Sequence, residues 1–269
     1  MSDYAHTMSE TIAPFEQSDG GVRVSPSMEA ATSTVSGGID VVVTPLDLEP
    51  KAVDAMEAML SAAELQKARH FHHELDRRRF IVARARLRQL LAARLDMHPK
   101  LVQLEYSLQG KPKLALVQQY ASMDLRFSAS RSENLAVYAF SNGCEIGIDV
   151  EAIRSVRDAE QIAAHYFSCC ENLAYLALDS GDKLLGFLNC WTRKEAFVKA
   201  LGESRYCALD DFDVSLAPDE PAKILRVENT PGEYCRWALY SFTPIPGFVA
   251  ALVIENRHDA AKPTLQIYR

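Results

Sequence analysis

The sequence lacks the features that would place the protein in a membrane, outside the cell or on a nucleic acid. No apolar run approaches the length of a membrane span. The first residues supply neither a basic n-region nor an apolar h-region, so no secretory signal is expected and a cytoplasmic protein is predicted. The net charge of −7, from 29 basic and 36 acidic residues, does not favour nucleic-acid binding.

Paired cysteines are also missing. The six cysteines include no C-x-x-C pair, and the adjacent Cys169 and Cys170 suit neither an ordinary disulfide nor a zinc knuckle. We expect reduced thiols, as in a cytoplasmic protein. The 269 residues, 48% hydrophobic and 24% charged, suffice for one large globular domain or two small ones.

What the sequence does contain is an acidic strand pattern at Gly147-Ile148-Asp149-Val150-Glu151. Apolar residues alternate with Gly147, Asp149 and Glu151, which is typical of a β-strand. The two carboxylates therefore leave the same face, roughly 7 Å apart along the backbone. Taken alone, such a pair more often belongs to a solvated strand face.

A helical pattern with a third carboxylate follows about forty residues later, over residues 191–199. Glu195 and Lys199 are four residues apart, so they share one helix face. Taken alone, this is a surface ion pair worth roughly 0.3–0.5 kcal/mol. Together with Asp149 and Glu151, however, Glu195 would complete an oxygen ligand set for a hard cation such as Mg²⁺, and Lys199 could hold a phosphate that the cation also binds.

The two patterns in this order, Gly-Ile-Asp-Val-Glu and Trp-x-x-Lys-Glu-x-x-x-Lys, resemble the 4'-phosphopantetheinyl transferases of the surfactin-synthetase-activating type. The resemblance implies an α+β fold of two similar lobes, a pseudo-dimer with the active site in the cleft between them. It implies transfer of the phosphopantetheine arm of coenzyme A to a serine of an apo acyl or peptidyl carrier protein, which gives holo-carrier and 3',5'-ADP. A monomer is expected, because one chain supplies both lobes.

The resemblance also assigns roles to the acidic motif residues and to Lys199. Asp149, Glu151 and Glu195 would hold Mg²⁺, with Mn²⁺ as a substitute. These three residues and Lys199 would be catalytic. Glu195 would take the proton of the carrier serine, directly or through water. Lys199 and Asp149 would also contact the pyrophosphate of coenzyme A.

Five further residues match family positions that bind coenzyme A, and they are Lys67, Arg79, Lys111, Ser130 and Arg131. The chain departs from the family at two positions: Arg131 replaces the usual histidine, and Glu64 replaces a basic residue. Local alternatives stay open, because Lys111 also fits a turn lysine in water and residues 130–132 also fit an ordinary serine-rich turn.

Residues 66–94 carry nine Lys or Arg and two acidic residues. Such a stretch is either a solvated basic helix or a site for the charged end of a nucleotide or for an acidic partner. The candidates for contact with an acidic carrier protein are Arg77, Arg84, Arg86 and Arg88.

The chain divides into a flexible, disordered tail over 1–37, lobes over 38–143 and 144–256, and a loose tail over 257–269. The pattern predicts a helix over 54–73, a second helix capped by Asp76, and a hairpin that returns through Ser141-Asn142-Gly143 into the Asp149 strand. An alternative to the enzyme is a non-catalytic coenzyme A or nucleotide-binding protein of the same fold. No nucleic-acid or membrane partner is expected.

Overall fold

The computed structural model describes residues 38–107, 111–115, 124–202, 207–228 and 232–256 in full, and the backbone of 22–25 and 265–268. Within these residues the helices are α1 (Pro50–Glu57), α2 (Ala62–Arg69), α3 (Glu74–Leu95), α4 (Ala159–Tyr166), α5 (Cys169–Ala177) and α6 (Lys183–Leu201). The strands are β1 (Val22–Ser25), β2 (Ile39–Pro45), β3 (Leu104–Tyr106), β4 (Pro112–Leu114), β5 (Leu125–Ser132), β6 (Leu135–Asn142), β7 (Ile146–Ala152), β8 (Phe212–Val214), β9 (Ile224–Val227), β10 (Trp237–Phe242), β11 (Phe248–Glu255) and β12 (Leu265–Tyr268).

These strands form two main sheets. One has the order β1-β12-β2-β6-β5, and the other has the order β10-β11-β7. In the first sheet β6 pairs antiparallel with both β2 and β5, and in the second sheet β11 pairs antiparallel with both neighbours. Two small ribbons, β3–β4 and β8–β9, complete the structure over the described chain. The fold is α+β with two sheet–helix lobes, which confirms the predicted class.

The sheets pack face to face and each carries helices on its outer side. On β6, Tyr138 and Phe140 lie in a core with α3, whereas Val137 and Ala139 lie in the core between the sheets. Both faces of the strand are therefore buried, which explains its unbroken apolar sequence. No helix in the described part of the chain is both long and apolar enough to cross a membrane.

Helix α6 covers the outer face of the second sheet. Ala196, Phe197 and Ala200 of the helix share a core with Ala251 and Val253 of β11. The side chains of β7 that do not face the first sheet therefore point toward α6, because alternate residues of a strand face opposite sides.

The predicted helix over 54–73 is wrong, because two helices occupy this stretch. Helix α1 ends at Glu57, and Ser61 caps the start of α2. The Ser61 side chain accepts the N–H of Glu64, and the Glu64 carboxylate accepts the N–H of Ser61. This reciprocal capping box starts a new helix. Helix α3 begins at Glu74, so Asp76 lies in its first turn and is not the cap.

The predicted hairpin between β6 and the Asp149 strand is also wrong. Both edges of β6 are occupied by β2 and β5, so β7 crosses to the other sheet and pairs with β11. Gly143 turns the chain there with φ of 78°, a conformation that glycine adopts without strain.

The tails contribute two strands where none is predicted. β12 pairs parallel with β2, and β1 pairs parallel with β12, so the end of the chain joins the first sheet. The rest of the predicted tails, 1–21, 26–37, 257–264 and 269, lies outside the described residues. The predicted lobe boundaries stay predictions.

Candidate active site

Asp149 and Glu151 both leave β7 toward α6, while Val150 between them lies in the core between the sheets. Asp149 is buried, with 4% of its surface exposed. Its Oδ1 atom accepts hydrogen bonds from Lys199 Nζ at 2.6 Å and from Ser130 Oγ at 2.6 Å. Its Oδ2 atom is buried and has no hydrogen-bond partner among the described residues. A buried carboxylate oxygen without a donor is costly, and it is free to bind a ligand.

Glu151 is half-buried and lies beside Asp149. Its Oε2 atom accepts a hydrogen bond from Ser132 Oγ at 2.7 Å. Burial raises the pKa of the Glu151 carboxyl above its usual range, the Ser132 hydrogen bond opposes this rise, and the charge of Asp149 adds to it. Two adjacent carboxylates repel each other when both are charged, and a cation between them relieves this repulsion.

Glu195 and Lys199 lie one turn apart on α6, as the spacing predicts. Burial raises the pKa of the Glu195 carboxyl, the ammonium of Lys199 opposes this rise, and the charge of Asp149 adds to it. The helix thus brings one further acid and one base within electrostatic reach of Asp149.

Gly147 allows α6 to approach β7 this closely. A Cβ atom at this position would lie 2.0 Å from the carbonyl oxygen of Ala196 and 2.4 Å from the amide nitrogen of Ala200. Both are backbone atoms of the helix, so a side chain would force the helix away from the strand. Glycine at the start of the acidic motif is therefore required by packing.

The fit of a divalent cation to this site rests on the β7 pair. Asp149, Glu151 and Glu195 do not form a three-residue metal cluster, and no group of three His, Cys, Asp or Glu side chains in the described chain does so. Magnesium, however, is usually held by one or two carboxylates together with waters and substrate phosphates. The free Oδ2 of Asp149 and the adjacent Glu151 carboxylate meet that requirement. The structure leaves the role of Glu195 as a third ligand a prediction.

A second cluster of predicted residues surrounds two packed rings of the first lobe, Phe71 and Phe80, whose centroids are 5.2 Å apart. Lys67 Nζ lies 5.8 Å from the Phe80 ring, and the Arg131 guanidinium lies 5.7 Å from Phe71 and 5.8 Å from Phe80. Arg84 lies 5.7 Å from Phe80. The structure therefore places three cations around one aromatic pair, which favours binding of an anion beside them.

Arg84 belongs to this cluster, although the sequence predicted it to contact the carrier protein. Its Nη1 atom is buried without a hydrogen-bond partner among the described residues. Its position four residues after Phe80 on α3, on the same helix face as the ring, is the signal that could have assigned it to this cluster.

Arg79 and Lys111 are engaged elsewhere. Arg79 forms a two-pronged pair with Asp47, at 2.7 and 2.9 Å, and contacts Glu133 at 3.5 Å. Lys111 Nζ donates to the backbone carbonyl of Lys199 near the end of α6. Neither predicted role in binding coenzyme A is visible in these contacts, and both stay predictions.

The comparisons with known proteins agree with the two-lobed architecture. A family model described as the 4'-phosphopantetheinyl transferase superfamily matches residues 145–253, and one described as 4'-phosphopantetheinyl transferase, N-terminal, matches residues 49–142. The 4'-phosphopantetheinyl transferase HetI of Nostoc sp. is 34% identical over 212 residues, which are 79% of this chain and 85% of that protein. The chain belongs to the 4'-phosphopantetheinyl transferase superfamily.

A more distant member of this superfamily, the 4'-phosphopantetheinyl transferase Sfp of Bacillus subtilis, is 25% identical over 195 residues, which are 72% of this chain and 82% of that protein. The resemblance inferred from the two motifs is thereby confirmed, including the two-lobed type.

Glu64, which replaces a basic residue of the family, has a structural role in this protein. Glu64 is buried and caps α2, while its carboxylate accepts hydrogen bonds from Arg88 at 2.7 Å and from Tyr106 at 3.2 Å. Arg84 lies 3.7 Å from it. The acid thus joins α2 to α3, and a basic residue here would face Arg88 directly.

One of the predicted carrier contacts on α3, Arg88, is wrong for this transferase, and the others stay predictions. Arg88 is 2% exposed and donates to Glu64 and to the carbonyls of Pro99 and Val102, so it cannot contact a carrier. Arg77 is only partly exposed and pairs with Glu74. Much of the basic excess of residues 66–94 serves the interior of the lobe.

Lys194, next to Glu195 in the Trp-x-x-Lys-Glu motif, is fully buried. Its ammonium donates to the carbonyls of Leu209 and Phe212, both at 2.6 Å, and pairs with Glu171 at 2.7 Å. Because all three ammonium hydrogens have partners, Lys194 ties α6 to α5, to the first residue of β8 and to the turn before it. Lys194 therefore supports the helix and does not face the site.

A cavity of about 330 Å³ adjoins Glu151. Glu151 forms part of its wall, and Phe187, Leu188 and Trp191 of α6 form an apolar side. The indole of Trp191 stacks on Phe187 at a centroid distance of 6.2 Å, which holds this side of the wall in place. The cavity therefore combines an apolar side from α6 with the charged side chains of Glu151, Arg154 and Arg157.

Proposed function

We propose that the protein moves the 4'-phosphopantetheine arm of coenzyme A to a serine of an apo acyl or peptidyl carrier protein, producing holo-carrier and 3',5'-ADP. One observation carries the proposal: within a chain of this superfamily, the Asp149–Glu151 pair faces Lys199 and keeps one buried carboxylate oxygen without a partner. Serine oxygen forms a bond to the β-phosphorus, and the bond to the leaving nucleotide phosphate breaks.

Asp149 and Glu151 would hold Mg²⁺, or Mn²⁺ in its place, with Glu195 as a third ligand. The ion would neutralise charge on the pyrophosphate of coenzyme A. Lys199 Nζ lies 2.6 Å from Asp149 and 3.2 Å from Ser130 Oγ, so it is placed to contact a phosphate that approaches the pair.

Glu195 is the proposed base that takes the proton from the carrier serine. Burial raises the pKa of its carboxyl, which makes its carboxylate a stronger proton acceptor than an exposed one. Lys199 keeps the carboxylate charged by its nearby positive charge.

The nucleotide end of coenzyme A would bind at the cations around Phe71 and Phe80. Lys67, Arg84 and Arg131 supply the positive charge there. Arg79 would join them after exchanging Asp47 for a phosphate, and Lys111 would act indirectly by holding the end of α6 near Lys199. The pantetheine arm would lie along the apolar cavity beside Glu151.

The carrier protein is the proposed partner, and the acidic surface expected of it would meet basic residues at the cavity mouth. Arg154 and Arg157 line this cavity together with Glu151. We propose a monomer in the cytoplasm, with no nucleic-acid or membrane partner.

The test is transfer by the Glu195→Gln variant, which keeps the side-chain shape and removes the charge. We expect turnover to fall about 10²–10⁴-fold while coenzyme A binding, measured by calorimetry, is partly retained. Glu105→Gln, at an exposed position on β3, is the matched control and should transfer at the wild-type rate. Wild-type rates in Glu195→Gln would rule out its role as the base.

A non-catalytic coenzyme A-binding protein of the same fold is the second candidate; it would need only the cations around Phe71 and Phe80, which lie apart from the carboxylates on β7. The same assay separates the two candidates. A wild-type protein that binds coenzyme A but never increases the mass of an apo-carrier would support the binding protein.

A further inference from the structure

Three serines at alternate positions of β5 face β7 across the boundary between the two sheets. We call Ser128, Ser130 and Ser132 the hydroxyl seam. Ser128 Oγ accepts the N–H of Ile148 at 3.1 Å. Ser130 Oγ donates to Asp149, and Ser132 Oγ donates to Glu151.

The seam joins strands that belong to different sheets. The bonded residues are 19 or 20 positions apart at every step, so β5 and β7 run in the same direction and stay in register. A serine at every second position of β5 therefore meets β7 at each step, and the alternating Asp149 and Glu151 fall opposite two of the three hydroxyls.

Ser132 differs from Ser128 in what its hydroxyl binds. Ser132 Oγ accepts the N–H of Ala152 at 3.1 Å and donates its hydrogen to Glu151 Oε2 at 2.7 Å. Because the hydroxyl has a single hydrogen and the backbone N–H already occupies one of its lone pairs, its direction is set by the strand. Ser128 accepts a backbone N–H in the same way, but among the described residues it has no hydrogen bond to a carboxylate.

We propose that Ser132 is a positioning residue for the transfer reaction: it holds one carboxylate oxygen of Glu151 and leaves the other for the divalent cation. The inference rests on the proposed function, because it concerns the same site. It goes beyond that function by giving the lobe boundary a role in metal binding. Residues that orient metal ligands typically change metal affinity 10–100-fold when they are removed.

The test measures Mn²⁺ affinity, with the free ion followed by electron paramagnetic resonance as Mn²⁺ is titrated into the protein–coenzyme A complex. We expect Ser132→Ala to weaken Mn²⁺ binding about tenfold. Ser132→Thr keeps the hydroxyl and should restore the affinity. Ser128→Ala is the matched control: it also removes the acceptor of a backbone N–H in the seam and should leave Mn²⁺ affinity unchanged.

Thermal unfolding of each variant separates positioning from folding. Ser128→Ala and Ser132→Ala should lose similar stability, since each leaves one N–H without its acceptor. If Ser132→Ala does not fold, Ser132→Cys, whose thiol is a weak donor, replaces it with the same expectation.

The inference is overturned if Ser132→Ala binds Mn²⁺ like the wild type, if both alanine variants lose affinity equally, or if the wild-type complex binds no Mn²⁺. These results differ from failure of the proposed function, in which the wild-type protein would transfer no arm to any carrier. If the wild type transfers the arm and binds Mn²⁺, but Ser132→Ala and Ser128→Ala have the same Mn²⁺ affinity, the positioning role of Ser132 is rejected and the proposed function stands.

Discussion

Removal of Lys194 should destabilise the second lobe strongly, although the residue does not face the site. Lys194 is fully buried and Glu171 is 3% exposed, and they are 2.7 Å apart. In Lys194→Met, Glu171 keeps the N–H groups of Ser168 and Val214 but loses its counter-charge. Breaking such a buried pair typically costs about 3–5 kcal/mol, which corresponds to a fall in Tm of roughly 6–20 °C for a protein of this size.

The assay is thermal and urea unfolding of Lys194→Met against a matched surface control. Arg126 pairs with Asp124 at 2.9 Å, and the two side chains are 49% and 54% exposed. Arg126→Met should therefore cost less than about 1 kcal/mol. The double variant Lys194→Met/Glu171→Gln removes both charges, and we expect it to be more stable than Lys194→Met alone.

The reasoning would be refuted if Lys194→Met lost no more stability than Arg126→Met. It would also fail if the effects of Lys194→Met and Glu171→Gln simply added, because a charge pair that stabilises α6 must show coupling.

Two further predictions concern Gly147 and Lys111. Gly147→Ala should lower both stability and transfer, since its Cβ would lie 2.0 Å from the Ala196 carbonyl oxygen. Gly181→Ala is the control and should lower neither, because a Cβ there would have nothing within 4 Å. Equal effects of the two substitutions on the melting temperature and the transfer rate would contradict the packing argument. Burial lowers the pKa of Lys111 to about 8, below the roughly 10.4 of a free lysine. Between these values the unfolded chain binds the proton and the folded chain does not, so the stability of wild type relative to Lys111→Met should rise with pH over this window. The measurement is the urea midpoint of both proteins at the low-pH and the high-pH end of the window. The same difference between the two proteins at both pH values would refute the prediction.

The placement of the proposed metal ligands could be predicted from the sequence, because each follows from the periodicity of its own strand or helix. Alternation along β7 places Asp149 and Glu151 on one side, and a spacing of four on α6 places Glu195 with Lys199. Both elements exist as predicted. Local sequence carries this information, since it depends only on backbone geometry within one element.

The partners of those residues were not predictable from local sequence. Lys194 and Glu171, 23 positions apart, meet only because α5 packs against α6. Arg79 pairs with Asp47, which lies 32 positions before it. The sequence shows which side chains are positively charged, but not which of them are already paired with an acid inside the fold and which are available to bind a ligand.

The pairing of strands was likewise beyond the sequence. A tight turn after β6 is typical of a hairpin, but β6 is already flanked by β2 and β5. The edges that a strand leaves open depend on the whole sheet. The serines at alternate positions of β5 indicate that this face contacts another element, but the sequence does not indicate which strand that is.

The central claim is that the Asp149 carboxylate and its neighbours serve the transfer of a phosphopantetheine arm. It is tested most directly by incubating the protein with coenzyme A, Mg²⁺ and a panel of apo-carriers, and measuring carrier mass for wild type and Asp149→Asn. We predict that wild type adds the mass of one arm to at least one carrier and that Asp149→Asn, folded and still binding coenzyme A, slows this at least about a hundredfold. Equal rates in the two proteins, or no mass change on any carrier with folded wild type, would contradict the claim.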